Sequence, residues 1–168
     1  MSTLRLSVLT VSDSRDLDSD KSGAWLARAL QDEGHALAAR QIVPDDKYMI
    51  RAQLSAWIAD PEVDGVLITG GTGITGRDVT PEAVEPLLDK TLDGFGELFR
   101  QLSFADIGAS TIQSRAVGGV ANGTLVFCLP GSSGAVRLAW EQILQPQLDI
   151  RTTPCNFAML LPRLKEHA

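Results

Sequence analysis

The sequence predicts an α/β fold, a three-layer αβα sandwich whose mostly parallel sheet holds one antiparallel strand. β-rich apolar runs alternate with segments in which apolar residues recur at helical spacing, and the connections between them are short. Late in the chain, Asn122-Gly123 separates two β-like runs, which is a strong hairpin signal and supplies the antiparallel strand. A chain of 168 residues without repeats or linkers predicts one domain over residues 1–168.

The elements follow one another in strand–helix order. Leu4 to Val11 is almost wholly apolar, as in a strand buried on both faces. Residues 22–33 show helical spacing and stop at Gly34, a residue suited to a helix end. The remaining predictions are a strand at Leu37–Val43, a helix at 47–59 capped by Asp46, a strand near 63–68, helices at 82–90 and 94–103, a hairpin of 116–121 with 124–129, and a last helix opening at Pro130–Gly134.

Composition and charge exclude several classes of partner. The net charge of −6 argues against nucleic acid, which recruits basic surfaces. No segment approaches the roughly 20 apolar residues of a membrane span, and the start has no signal-peptide architecture. Cys128 and Cys155 have no metal-ligand spacing, so we expect reduced thiols. Together these features predict a cytoplasmic protein without nucleic-acid or membrane partners.

The most informative segment is the glycine-rich loop from Gly70 to Asp78. It follows a β-branched apolar run and leads into Thr80-Pro81, expected as a helix N-cap followed by proline at the first helical position. Backbone N–H groups and a helix dipole at such a junction form a phosphate cradle. The alternative is a tight turn in which glycine merely supplies a positive φ.

Two familiar nucleotide motifs fit this loop poorly. Gly71, Gly73 and Gly76 match the dinucleotide fingerprint formally, but they follow the third predicted strand and not the first. An NAD-linked oxidoreductase therefore has only the glycine spacing in its favour. A P-loop would need Lys-Ser/Thr where this chain has Arg77-Asp78.

Other polar loops follow the other predicted parallel strands, at the edge of the sheet where such folds bind ligands. Ser12-Asp13 follows the first strand and Pro44-Asp45-Asp46 the second. Asp45 and Asp78 would then face one phosphate site, a donor set that suits Mg²⁺, although single loop aspartates are commonly turn formers. Pro130–Ser133 is either a second anion site or a simple capped helix entry. Glu97, after Gly94-Phe95-Gly96, could face solvent or the cleft.

The segment Thr69–Glu82 resembles the signature of the molybdopterin-binding family, whose members include MoaB, MogA and the first domain of gephyrin. The resemblance extends over nearly the whole chain, and the tail with Ile50–Ile58 is most similar to the MoaB branch. It continues through Gly94–Arg100, Ser114–Ala116, Leu129–Ser132 and Arg151–Phe157.

The resemblance implies a specific activity. Active members of the family transfer an adenylyl group from Mg-ATP to the terminal phosphate of molybdopterin and release pyrophosphate. By position in the motifs, Asp45 and Asp78 would be the catalytic, magnesium-binding acids. The family also implies a homotrimer or homohexamer and other molybdenum cofactor biosynthesis proteins as partners. The residues expected to bind nucleotide or pterin are Ser12, Asp13, Gly70, Gly71, Thr72, Gly73, Gly76, Arg77, Glu97, Pro130, Gly131, Ser132 and Ser133.

One departure keeps a second interpretation open. Active members usually read Pro-Gly-Asn/Gln-Pro where this chain reads Pro130-Gly131-Ser132-Ser133. The resemblance also implies that some MoaB proteins have lost activity together with the acid at the position of Asp45 and the Arg-Asp-Val-Thr context, whereas this chain retains Asp45 and the segment Arg77–Thr80. An active adenylyltransferase is therefore favoured over a catalytically inactive molybdopterin carrier or scaffold.

Overall fold

A computed structural model describes residues 3–166, which form a six-stranded sheet with helices on both faces. The strand order is β2-β1-β3-β6-β5-β4. β1, β2, β3 and β6 run parallel, while β5 is antiparallel to both of its neighbours. The predicted fold class, with one antiparallel strand, is confirmed. The strands are β1 Arg5–Val11, β2 Ala36–Val43, β3 Gly65–Thr69, β4 Lys90–Thr91, β5 Val117–Ala121 and β6 Thr124–Leu129.

Seven α-helices connect and cover the strands within the described range. They are α1 Lys21–Asp32, α2 Lys47–Ala59, α3 Thr80–Val84, α4 Asp93–Ile107, α5 Ser133–Ala139, α6 Gln145–Leu148 and α7 Phe157–Leu160. Asp46 caps α2 as predicted, because its carboxylate accepts hydrogen bonds from the N–H groups of Tyr48 and Met49, both at 2.9 Å. No helix between residues 3 and 166 is both long enough and apolar enough to span a membrane.

The sheet has a hydrophobic core on each face, which is why the fold has three layers. Along β1, Leu6 and Val8 face the core that contains α1, α4 and α5, while Leu9 and Val11 face the core that contains α2 and α3. All four side chains are buried. Burial of each such side chain contributes about 1.5–3 kcal/mol, so the continuous apolar run of β1 anchors both layers.

The predicted helix over 82–90 is wrong beyond its first turn. α3 ends at Val84, a 3₁₀ turn follows at Glu85–Leu87, and the chain then forms the edge strand β4. Pro86 contributes to the break, since proline has no N–H to donate to the Glu82 carbonyl, which accepts a hydrogen bond from Arg51 instead. The last helix is likewise interrupted by a π-helical segment at Trp140–Leu144 before α6.

The hairpin between β5 and β6 matches its sequence signal. Asn122 and Gly123 both adopt positive φ, 49° and 74°, as the two-residue turn requires. Because β1, β2, β3 and β6 are parallel, their carboxyl ends meet at one edge of the sheet. The loops after these four strands therefore come together, and we call this end the carboxyl edge.

Candidate active site

The loops at the carboxyl edge are held together by hydrogen bonds between strand ends. The N–H of Ser12 donates to the carbonyl of Val43 at 2.9 Å, which joins the loops after β1 and β2. The N–H of Gly70 donates to Leu129 at 3.0 Å, and the Thr69 hydroxyl donates to the carbonyl of Pro130 at 3.0 Å. The glycine loop, which follows β3, thus lies in the middle of the edge and is held to the end of β6.

Gly70 and Gly71 are required by the shape of this loop. Their φ angles are +102° and +68°, in the region that side chains rarely adopt. A methyl group on Gly70 would lie 2.3 Å from the Val11 carbonyl oxygen, and one on Gly71 would lie 2.3 Å from Thr80 Oγ1. The chain can pass between β1 and α3 only because both residues lack side chains.

Thr80 does not cap α3, contrary to the sequence prediction. Val79 occupies the N-cap position, and no side chain caps the helix. The buried Thr80 hydroxyl instead donates to the Gly70 carbonyl at 2.8 Å, and its N–H donates to the Gly71 carbonyl at 3.0 Å. Thr80 therefore fastens the glycine loop to α3, a long-range role that a local capping pattern does not reveal.

Both predicted acids reach the glycine loop. A methyl group on Gly71 would lie 3.2 Å from Asp45 Oδ1, and one on Gly73 would lie 2.7 Å from Asp78 Oδ2. Asp78 is held from one side, since its Oδ2 accepts hydrogen bonds from the Thr75 N–H at 2.9 Å and hydroxyl at 2.7 Å. The glycines leave the space beside the two carboxylates that a larger residue would fill.

The two acids differ in their electrostatic environment. Burial, followed by the charges of Asp13 and Asp78, raises the pKa of Asp45 above its ordinary value. Partial burial opposes ionisation of Asp78 as well, but the hydrogen bonds from Thr75 outweigh it and lower the pKa of Asp78. Burial and the neighbouring carboxylates thus disfavour the ionised form of Asp45, which a bound cation would favour.

Arg77 and Asp13 form an ion pair across the cleft. Asp13 Oδ2 accepts from Arg77 Nε at 3.0 Å, while Asp13 Oδ1 accepts from the N–H of Asp45 at 3.0 Å. The Arg77 hydrogen bonds, with that of Asp45, lower the pKa of Asp13. The Arg77 side chain is 71% exposed, so this pair is open to exchange with an anionic ligand.

The carboxylates fit Mg²⁺ that arrives with a phosphate ligand. Among residues 3–166, no group of three or more His, Cys, Asp or Glu side chains is arranged to hold a metal ion. Mg²⁺ typically binds one or two carboxylates and completes its coordination with water and substrate phosphates. Asp45 and Asp78 beside a glycine cradle provide that partial set.

The loop after β6 is a capped helix entry. Ser132 Oγ accepts from the N–H of Ala135 at 3.2 Å, and the neighbouring Ser133 begins α5. A cavity of about 310 Å³ separates this loop from the loop after β1. Sequence reasoning missed Ser22, whose hydroxyl donates to the Gly131 carbonyl at 2.8 Å on the cavity wall. The described residues lining the cavity also include Ser12, Arg15, Thr69, Gly70 and Ser132.

Two predicted binding residues lie away from this centre. Glu97 lines a separate depression of about 260 Å³ with Asp93 and Arg100. The register of α4 explains this position, because Gly96 packs against the Ala116 carbonyl and the next residue projects outward. Gly76 is exposed at the loop tip, where a methyl group would meet no atom within 4 Å.

One residue in contact with the loop was not predicted. Arg115, which precedes β5, donates through Nε to the Gly73 carbonyl at 2.8 Å and through Nη2 to the Asp78 carbonyl at 3.1 Å. It also forms an ion pair with Glu82. The sequence offered no local signal for these contacts, since Arg115 is 42 residues from Gly73.

Comparisons with known proteins agree with this architecture. Residues 7–150 match the family model described as a probable molybdopterin binding domain. Molybdenum cofactor biosynthesis protein B of Escherichia coli K12 is 55% identical over 162 residues, 96% of this chain and 94% of that protein. The protein of the same name from Bacillus subtilis is 49% identical over 146 residues, 86% of each chain.

Solved structures show the same relationship. A crystal structure of molybdenum cofactor biosynthesis protein B aligns with a TM-score of 0.88 at 44% identity, covering 97% of this chain and 96% of that one. The tungsten cofactor synthesizing protein MoaB from Pyrococcus furiosus aligns with a TM-score of 0.81 at 36% identity, covering 99% of both chains.

Proposed function

The chain belongs to the family of probable molybdopterin binding domains, and we propose that it acts in molybdenum cofactor biosynthesis as a Mg-ATP-dependent molybdopterin adenylyltransferase. The names of its relatives support the pathway. The observation that carries the reaction is the approach of Asp45 and Asp78 to the same glycine loop at the carboxyl edge.

The reaction joins two anions. An oxygen of the terminal phosphate of molybdopterin attacks the α-phosphorus of ATP and forms a phosphoanhydride, while the bond to the β-phosphate oxygen breaks and pyrophosphate leaves. The substrate supplies the nucleophile, so no protein nucleophile is needed. Catalysis then depends on positioning and on stabilising the phosphate charge.

The residues of the carboxyl edge divide this work. Asp45 and Asp78 would hold the Mg²⁺ that accompanies ATP, and the ion would neutralise charge on the phosphates. The backbone N–H groups of the glycine loop, from Gly71 to Ile74, would donate to phosphate oxygens. Arg77 would bring a positive charge to the same site by exchanging its contact with Asp13 for a phosphate.

A transfer assay tests this proposal. The chain is incubated with molybdopterin, ATP and Mg²⁺, and adenylylated molybdopterin and pyrophosphate are measured; we expect equal amounts of both and none in the presence of EDTA. The Asp32→Asn variant is a control because Asp32 is exposed at the end of α1 that lies farther from the carboxyl edge, and it should leave the rate unchanged. Absence of both products with the unsubstituted chain would refute the adenylyltransferase.

The second candidate function is a catalytically inactive molybdopterin carrier or scaffold. The observation in its favour is Ser132-Ser133 at the start of α5, in place of the residues usual in active members. A carrier would bind molybdopterin without consuming ATP. Equilibrium binding of molybdopterin together with a complete absence of pyrophosphate release would establish this function instead.

We also propose a cytoplasmic homotrimer or homohexamer that works with other molybdenum cofactor biosynthesis proteins. The family resemblance supports the oligomer. A second support is that several apolar side chains on α4 and the following 3₁₀ turn, including Phe104 and Ile112, are exposed in a single chain and would suit contact with another copy. Light scattering after size-exclusion chromatography should give three or six times the chain mass. A monomeric mass would contradict the oligomer.

A further inference from the structure

Arg115 reaches the glycine loop from the segment before β5, whose first residue lies beside the end of β6 at the carboxyl edge. Its backbone N–H donates to the Thr72 carbonyl at 3.1 Å, and its guanidinium donates to the carbonyls of Gly73 and Asp78. The same guanidinium pairs with Glu82 in α3. A single residue therefore contacts the beginning of the loop, its end and the helix that follows.

These contacts fix the direction of the loop peptides. In a planar trans peptide the carbonyl of one residue and the N–H of the next point to opposite sides. Because Arg115 donates hydrogen bonds to the carbonyls of Thr72 and Gly73, the N–H groups of the next residues, Gly73 and Ile74, point away from Arg115. Thr80 acts in the same way on the carbonyls of Gly70 and Gly71.

The guanidinium group suits this task better than an ammonium group. Its planar fork of five N–H donors can satisfy several acceptors in fixed directions, whereas lysine presents a compact charge on a flexible stem. In this structure Arg115 uses Nε, Nη1 and Nη2, each on a different partner atom. Its side chain is 32% exposed, so the network is only partly open to solvent.

We propose that Arg115 is a positioning residue for phosphate binding, which holds the glycine-loop amides and Asp78 in the orientation that receives a Mg-nucleotide. The inference rests on the proposed function for the identity of the ligand. It adds a residue that touches no substrate and acts through the carbonyls of Gly73 and Asp78. Glu82 supports Arg115 from α3.

Removal of the Arg115 side chain should displace the glycine-loop N–H groups and the Asp78 carboxylate, although none of these groups is itself removed. A misplacement of about 1 Å in a reacting site can cost roughly 100-fold, so we expect Arg115→Ala to weaken Mg-ATP binding by about 10-fold to 100-fold. Arg163→Ala is a matched control, because Arg163 pairs with Glu166 on the surface far along the chain from the loop. The control should bind like the unsubstituted chain.

Chemical rescue separates positioning from general damage. Calorimetric titration, in the absence of molybdopterin, measures the affinity of the Arg115→Ala variant for Mg-ATP. One titration contains guanidinium chloride at a non-denaturing concentration, and the other contains NaCl at equal ionic strength. We expect guanidinium to restore much of the affinity and NaCl to restore none. Arg115→Lys keeps the charge without the fork and should remain at least about fivefold weaker.

The outcomes distinguish this inference from the proposed function. If the unsubstituted chain binds Mg-ATP but transfers no adenylyl group, the proposed function fails and a rescued loss in Arg115→Ala still supports the inference. Unchanged Mg-ATP binding in both Arg115 variants overturns the inference while adenylyl transfer stands. Failure of the unsubstituted chain to bind Mg-ATP also overturns it. If Arg115→Ala does not fold, the Arg115→Lys result decides by the same criterion.

Discussion

At the amino ends of β1 and β3, Arg5 and Asp64 face each other with opposite charges, whereas at the carboxyl ends of the parallel strands three aspartates surround one glycine loop. Asp64 Oδ2 accepts from the N–H of Arg5 at 2.7 Å and from its Nε at 3.2 Å. At the other end, Asp45 has Asp13 and Asp78 as neighbours, and its pKa is raised, chiefly by burial.

The difference between the two ends separates charges that hold the fold from charges that we propose to bind a ligand. Arg5 and Asp64 satisfy each other within the chain and join two neighbouring strands. Asp45 instead keeps a carboxylate in an environment that disfavours its ionisation. Groups with such perturbed pKa values cluster at functional sites, which supports the proposal that the aspartates of the carboxyl edge bind a ligand.

The largest expected effect sharpens this contrast directly. Asp78→Asn should reduce adenylyl transfer by about 100-fold to 1,000-fold, because it removes a carboxylate that would hold the Mg²⁺ neutralising the phosphates. Asp64→Asn should retain most of the activity but lose about 1–3 kcal/mol of unfolding free energy, since it weakens a partly buried ion pair. Transfer rates and urea denaturation of both variants measure the two effects. Equal loss of activity in both variants would contradict the distinction between the two ends of the sheet.

The second prediction compares two glycines with positive φ. Gly71→Ala should weaken Mg-ATP binding by about 10-fold or more, because the new methyl group meets Thr80 Oγ1 within the loop. Gly123→Ala, in the hairpin turn, carries a similar backbone strain of about 1–3 kcal/mol but meets only the flexible Lys165 side chain. Calorimetric titration should therefore find normal Mg-ATP affinity in Gly123→Ala, and a loss as large as that of Gly71→Ala would contradict the account.

The smallest predicted effect concerns Asp45 and Asp46, two adjacent aspartates that should affect the stability of the fold in opposite directions. Asp45 has a raised pKa in the folded chain, so the folded state binds this proton more tightly and ionised Asp45 destabilises the fold at neutral pH. Asp45→Asn should therefore raise the unfolding temperature at pH 7, and the gain should vanish near pH 3, below the unfolded pKa of about 3.9. Thermal unfolding at both pH values measures it; a lower unfolding temperature at pH 7 would contradict the prediction.

Asp46→Ala provides the control for that measurement. Asp46 accepts two N–H groups at the start of α2, so its loss should cost about 1 kcal/mol of stability at pH 7. The two neighbouring substitutions should thus shift the unfolding temperature in opposite directions.

The sequence predicted the features that depend on local chemistry and on strand polarity. The glycine loop, the Asp46 cap and the Asn122-Gly123 turn each follow from a few adjacent residues. The approach of Asp45 and Asp78 followed from one further rule, that carboxyl ends of parallel strands share an edge. These predictions required no knowledge of how side chains pack.

The remaining features depend on contacts between distant segments. The hydroxyl of Thr80 donates to Gly70 instead of capping its own helix, and Arg115 arrives from the segment before β5. Glu97 is exposed and lines a depression without glycine-loop residues, next to Gly96, which packs against the Ala116 carbonyl. In each case a local pattern permits several orientations, and the tertiary structure selects one.

The carboxyl edge as a Mg-nucleotide site is tested most directly by a crystal structure of the chain soaked with Mg-ATP. We expect one Mg²⁺ ion bound through oxygens of both Asp45 and Asp78 at about 2.0–2.1 Å, with ATP phosphates against the N–H groups of the glycine loop. An ion that contacts neither carboxylate, or phosphates bound away from Gly70–Asp78, would contradict it.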